Sequence, residues 1–134
     1  MIKTISTRDK LKQFVDKKVH VKATIKDFAT GKYKNSLTRR PTILFKNVVI
    51  VKGSHEIHLD HLWIMPNLSD VPKDLYVGDE VEFDGLVYKY KKVSKKKKDV
   101  FIESYGIKDI SNFEIAEYAN CPTKGLEDII VELI

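Results

Sequence analysis

Residues 77–98 read VGDEVEFDGLVYKYKKVSKKKK. Gly78-Asp79 is a turn signal. From Glu80 onward the residues alternate: Val81, Phe83, Gly85 and Val87 fall on one side, and Glu82, Asp84, Leu86, Tyr88 and Tyr90 on the other. A period of two is the mark of a strand with one buried face. Gly85 lacks a side chain inside that strand, which often marks a bulge or a sharp bend of the sheet. The strand then runs into Lys89, Lys91, Lys92, Lys95, Lys96, Lys97 and Lys98. Tyrosines on the outward face beside phosphate-seeking charge make a surface suited to single-stranded nucleic acid. The competing reading of the same residues is a solvated hairpin tip.

The same alternation recurs on both sides of this stretch. Val19, Val21, Ala23 and Ile25 alternate with His20, Lys22, Thr24 and Lys26, and this strand's outward face ends in Lys26 and Phe28. A polar loop over residues 29–41 follows, carrying Lys32, Tyr33, Lys34, Arg39 and Arg40. Residues 42–51 and 55–65 read as two strands joined in a hairpin by the turn Lys52-Gly53-Ser54. Residues 67–77 are a connector with apolar anchors. A fifth strand spans residues 99–105, and residues 107–113 add a short further piece. Near the start, Leu11, Phe14 and Val15 at i, i+3, i+4 after Ser6 and Thr7 predict an amphipathic helix over about residues 7–17. Leu126, Ile129, Ile130 and Leu133 fit a helical stripe, although their β-branched content equally suits an edge strand.

The chain has 134 residues, enough for one domain with a real core. Its net charge of +5 is unevenly spread. Residues 1–98 carry 22 Lys and Arg against 11 Asp and Glu, whereas residues 99–134 carry 2 against 8. A basic body points to an anionic partner, and the acidic end either covers that body or meets a protein partner. The single cysteine, Cys121, excludes an internal disulfide and a multi-cysteine zinc site. With no apolar signal segment at the N-terminus and no long apolar run, a cytoplasmic location away from membranes is expected.

Five strands with a connector between the third and fourth predict a mainly β fold, a five-stranded OB-fold-like Greek-key barrel. It would span residues 1–113 with its N-terminal helix, followed by an acidic extension over 114–134. In that fold the two basic loops become the loops joining strands one to two and four to five, which flank the oligonucleotide groove. The expected nucleic-acid-binding residues are therefore Lys26, Phe28, Lys32, Tyr33, Lys34, Arg39, Arg40, Trp63, Tyr88, Tyr90, Lys91, Lys92, Lys95, Lys96, Lys97 and Lys98. The expected ligand is single-stranded DNA or RNA. The alternative from another class is a protein-interaction module whose basic loops meet an acidic protein surface.

Four blocks, taken in order, also resemble a group of small OB-like proteins found on bacterial phages and mobile elements. They are Thr42-Ile43-Leu44-Phe45-Lys46-Asn47-Val48, Asp60-His61-Leu62-Trp63, Gly78-Asp79-x-Val81-x-Phe83-Asp84, and Val87-x-x-Tyr90-Lys91. The resemblance covers about residues 40–92. It implies the fold and a nucleic-acid role without a chemistry. Where that group often has glycine after the Tyr-Lys pair, this chain has Lys92.

Enzymatic readings find less support. Glu56-x-His58-x-Asp60-His61 approaches the water-activating metal motif His-x-His-x-Asp-His. Glu56 stands in place of the first ligand, however, and no histidine follows His61. Asp60 and His61 are expected instead to orient the strand end, with Trp63 filling the barrel mouth. Cys121 has no histidine near it in sequence, and GKYKNSLTRR lacks the ending of a phosphate-binding loop. Glu80, Glu82 and Asp84 read as a solvated strand face. A non-enzymatic protein without a metal or cofactor is the expectation.

Overall fold

The computed structural model describes residues 3–6, 9–32, 38–93 and 100–133. The fold is mainly β: one sheet of six strands flanked by short helices. In chain order the elements are β1 (Lys3–Ser6), α1 (Asp9–Lys12), β2 (Lys18–Lys32), β3 (Arg39–Lys52), β4 (His55–Ile64), a 3-10 turn (Leu68–Asp70), β5 (Glu80–Val93), β6 (Val100–Glu117) and α2 (Leu126–Glu132). Across the sheet they lie in the order β1-β6-β5-β2-β3-β4. All neighbours are antiparallel except β1 and β6, which are parallel.

Alternation drives this arrangement. Val19, Val21, Ala23 and Ile25 of β2, Val81, Phe83 and Val87 of β5, and Ile43, Phe45, Val48 and Ile50 of β3 are all buried in one core. The faces read for residues 80–90 hold throughout. Gly85 sits against Ile107, so closely that a β-carbon there would collide with the Ile107 side chain. The β3–β4 hairpin turns at Gly53-Ser54, with Gly53 at φ 59°.

Bulges bend the long strands and change which residues face inward. Between β2 and β3 the pairing slips by one residue on β3 near Asn47, at φ 51°, and slips back on β2 near Lys26. An extra residue shifts the phase of everything after it. Phe28, expected on the outward face, therefore points into the core and is 1 % exposed. β6 carries three slips against β5, with Asp109 and Asn112 in left-handed conformation at φ 51° and 53°. These slips make one continuous coiled strand of residues 100–117, where the sequence reads as a strand to 105 and a separate short piece. The expected division after residue 113 falls inside this strand.

The N-terminal helix is shorter than expected, four residues instead of about eleven. Asp16 at φ 63° ends the turn that follows it, and the chain goes on to exchange hydrogen bonds with Val87 (Asp16 N–H donating to Val87 O, 2.8 Å; Val87 N–H to Lys17 O, 3.1 Å). The expected apolar side is the one that packs: Leu11 and Phe14 are buried. Lys10 Nζ donates to His58 O at 3.0 Å, so α1 reaches β4 as well as β6. The C-terminal stripe is a helix, α2, with Leu126 and Ile129 in the core. It is fastened by Leu126 N–H donating to Leu75 O and by Lys124 Nζ donating to Asp27 Oδ1 and Phe28 O. Asp79, buried beside Gly78 at φ 98°, accepts from the N–H groups of Tyr76 (3.0 Å) and Ala119 (2.7 Å), tying the connector to the end of β6.

The sheet does not close. Among the described residues, β4 pairs only with β3, and Ser104–Glu117 of β6 pairs only with β5. No helix of the described residues is long and apolar enough to cross a membrane.

Candidate nucleic-acid interface

Where the sheet stays open, a cleft of about 530 Å³ forms. One wall comes from Arg40 of β3, Ile64 of β4, the segment Met65-Pro66-Asn67 and Asp70. The other comes from Tyr88 of β5 and Lys108, Asp109 and Ile110 of β6. Arg40 is held in place: its Nη2 donates to Pro66 O at 3.1 Å and to Asn67 Oδ1 at 2.9 Å. Tyr88 lies over Gly106, its partner across the strands, where a β-carbon would come within 3.0 Å of the ring. Lys108 Nζ stands 5.2 Å from the centre of the same ring, a cation–π contact. Tyr90 extends the aromatic surface, with ring centroids 5.5 Å from Tyr88 and planes tilted by 32°.

The β3–β4 hairpin, which supplies Arg40 and Ile64 to this cleft, also has an outer face. Leu44 and Trp63 are directly paired across the strands, as are Lys46 and His61. Ile43, Phe45, Leu62 and Ile64 point the opposite way, into the core. Trp63 is 43 % exposed, so it does not fill a barrel mouth but stands on the outer face. Met65 reaches Gly31 on β2, within 3.1 Å of where a β-carbon would be.

The expected site residues thus divide. The cleft brings Arg40 and Tyr88 together, with Tyr90 beside Tyr88, whereas Trp63 stands apart on the outer face of β4. Phe28 is removed from the set, because a core residue offers no stacking face. Lys26, at the β2 bulge, is exposed. Arg39 is exposed but spans back to Thr30, donating from Nε and Nη2 to its hydroxyl at 3.0 and 2.8 Å. Lys32 is exposed at the end of β2 and Lys91 near the end of β5. Lys91 faces Glu103 across the strands. The hydroxyl of Tyr105 holds the Glu103 carboxyl below the usual range, with Lys89 and Lys91 adding to the effect. Lys92 lies in β5 opposite Ile102. Tyr33, Lys34, Lys95, Lys96, Lys97 and Lys98 lie outside the described residues.

Lys108, Asn67, Asp70 and Asp109 were not legible as site residues. The one signal in sequence was Lys108 itself, one of two cations in the acidic stretch 99–134. His58 bonds to Glu56 (Nε2···Oε2 3.0 Å), and no group of three or more His, Cys, Asp or Glu among the described residues is placed to hold a metal ion. Comparison with family models, curated proteins and solved structures gives no match for this chain.

Proposed function

We propose that this protein is a non-enzymatic binder of single-stranded nucleic acid and that its sheet is an open form of the OB barrel. The observation that supports the reading is the cleft: it joins Arg40, at the foot of the first basic loop, to Tyr88, which opens the Tyr88–Lys92 run into the second. The cationic loops engage phosphates, while Trp63, Tyr88 and Tyr90 offer ring surface to bases. The resemblance to small OB-like proteins of phages and mobile elements agrees with this role. Its test is a fluorescence-anisotropy titration with single- and double-stranded oligonucleotides over a range of salt. If four to six cations engage, log K should fall against log salt with a slope of about −3 to −4, at about −0.7 per phosphate. Replacing Lys95, Lys96, Lys97 and Lys98 by alanine should reduce both affinity and slope for every sequence. A variant that binds like the wild type would remove the second loop from the site. Failure to bind any oligonucleotide, with recovery of one stoichiometric protein from a pull-down, would move the assignment to a protein-interaction module.

A further inference from the structure

Two of the residues lining the cleft are at odds with a ligand made of phosphates. Asp70 and Asp109 are both exposed, and neither makes a side-chain hydrogen bond or ion pair among the described residues. Unpaired carboxylates repel a polyanion. They contribute to binding only when the ligand brings hydrogen-bond donors to them, since an ionised carboxylate can only accept. In DNA the part that does so is the base edge: the exocyclic amine of adenine, cytosine or guanine offers two N–H groups, one for each carboxylate, whereas uracil and thymine offer a single N3–H flanked by carbonyl oxygens that carboxylates repel.

The remaining lining residues complement such a ligand. Lys108, over the Tyr88 ring, supplies a cation without a carboxylate partner among the described residues. Asn67 accepts from Arg40 through Oδ1, which leaves its N–H groups to donate. Tyr88 supplies an apolar ring edge, and a cleft of about 530 Å³ is within the range that takes a compact organic ligand. Splayed single-strand bases are recognised by this combination of an aromatic surface and hydrogen bonds to the base edge. Resting on the binding role proposed above, we infer that the cleft receives one unstacked base bearing an exocyclic amine, with Asp70 and Asp109 as acceptors, and that it discriminates against uracil and thymine.

The test compares oligodeoxycytidine with oligodeoxyuridine of about 12 nucleotides, within the span that one OB-type surface covers. Cytosine and uracil are nearly the same size and differ in their donors and acceptors at positions 3 and 4. Anisotropy titrations at pH 7.5 and fixed salt should show the wild type binding the cytidine strand about tenfold more tightly, as one well-made base contact provides. The double variant Asp70→Asn, Asp109→Asn should bind both strands at least as well, because it removes repulsion from phosphate. Its ratio should fall to about one, because an amide can present either a donor or an acceptor. Thermal melting of the variant establishes that it is folded. Equal wild-type affinities, or a preference that survives in the double variant, would overturn the base-reading inference and leave the binding role standing. Failure of both strands to bind would overturn both.

Discussion

His20 should make the protein less stable as pH rises through neutrality. Its ring lies between two carboxylates of β5, with Nδ1 2.9 Å from Asp84 Oδ1 and Nε2 2.9 Å from Glu82 Oε1. Carboxylates only accept hydrogen bonds, and a neutral imidazole has a single N–H, so both contacts are satisfied together only by the imidazolium. The hydrogen bonds to Glu82 and then Asp84 raise the His20 pKa above its ordinary 6.5. Asp84 is lowered first by the Asn112 amide (2.9 Å) and then by His20, and Glu82 is lowered chiefly by His20. The other charges nearby are Lys18 and Lys22 on β2, with Lys22 Nζ 3.9 Å from Glu82. The histidine contribution is complete below its unfolded value near 6.5 and is lost as pH climbs through the raised folded value. The carboxylate contributions run the other way: complete above 3.8 and 4.5, and lost as pH falls through the lowered folded values. The bracket is thus fully effective between roughly pH 4.5 and 6.5.

The His20 side chain is 42 % exposed and that of Asp84 26 %, so solvent screens their pair. After that discount the Asp84 contact contributes about 0.5–1 kcal/mol. For a chain of this size that corresponds to about 2–4 °C in Tm. Thermal melts followed by circular dichroism at pH 5.5 and pH 8.0 should show the wild type losing about that much more than His20→Gln over the interval. The other histidines are common to both proteins and cancel. Salt near 1 M, with a Debye length of about 3 Å, should shrink the difference. Parallel losses in the two proteins would refute the bracket as a stabilising contact.

Phe28→Ala should lower stability by about 3–5 kcal/mol in a denaturant titration, the cost of emptying a core ring site. An outward ring would cost far less. Gly85→Ala should cost about 1–3 kcal/mol by the same measurement, because Ile107 occupies the space its methyl group needs. Trp63→Ala should leave Tm nearly unchanged but cost about 1–3 kcal/mol in oligonucleotide affinity if a base stacks there. Trp63 is the one tryptophan of the chain, so its fluorescence should be quenched as an oligonucleotide is added. An unaltered spectrum at saturation would remove it from the interface.

Local alternation carried the reading wherever a strand runs without interruption. Residues 19–25 and 80–90 have the faces that their periodicity implies, and Gly85 falls within a slip of the β5–β6 pairing, as a glycine inside a strand suggests. The reading failed where a bulge intervenes. Nothing in the identity of Lys26 announces an extra residue, yet that slip turns Phe28 inward. Asp109 and Asn112 belong to residue types that tolerate left-handed backbone, but only the pairing with β5 makes them adopt it and fuses two apparent pieces into one strand. β1 left no mark, since a four-residue strand paired in parallel with a distant segment has no periodicity of its own. The cleft was half legible for the same reason. Arg40 and Tyr88 stand in conspicuous basic and aromatic runs, whereas Asp70 and Lys108 acquire meaning only when β6 is brought beside the end of β4.

The pairing of β1 with β6 also bears on the birth of the molecule. Lys3 lies opposite Val100, so β1 is made well before the partner it pairs with. At ribosomal speeds of about 5–20 residues per second, roughly 5–20 seconds separate their synthesis. The β2–β3–β4 meander is complete by Ile64 and its internal pairings all join neighbours in sequence, so it can assemble before β5 arrives to pair with β2. Until β5 and β6 arrive, its inner residues Ile43, Phe45, Ile50 and Leu62 have no opposing layer. That interval, with an apolar sheet face uncovered and β1 waiting, is when the nascent chain is most exposed to chaperones and to self-association.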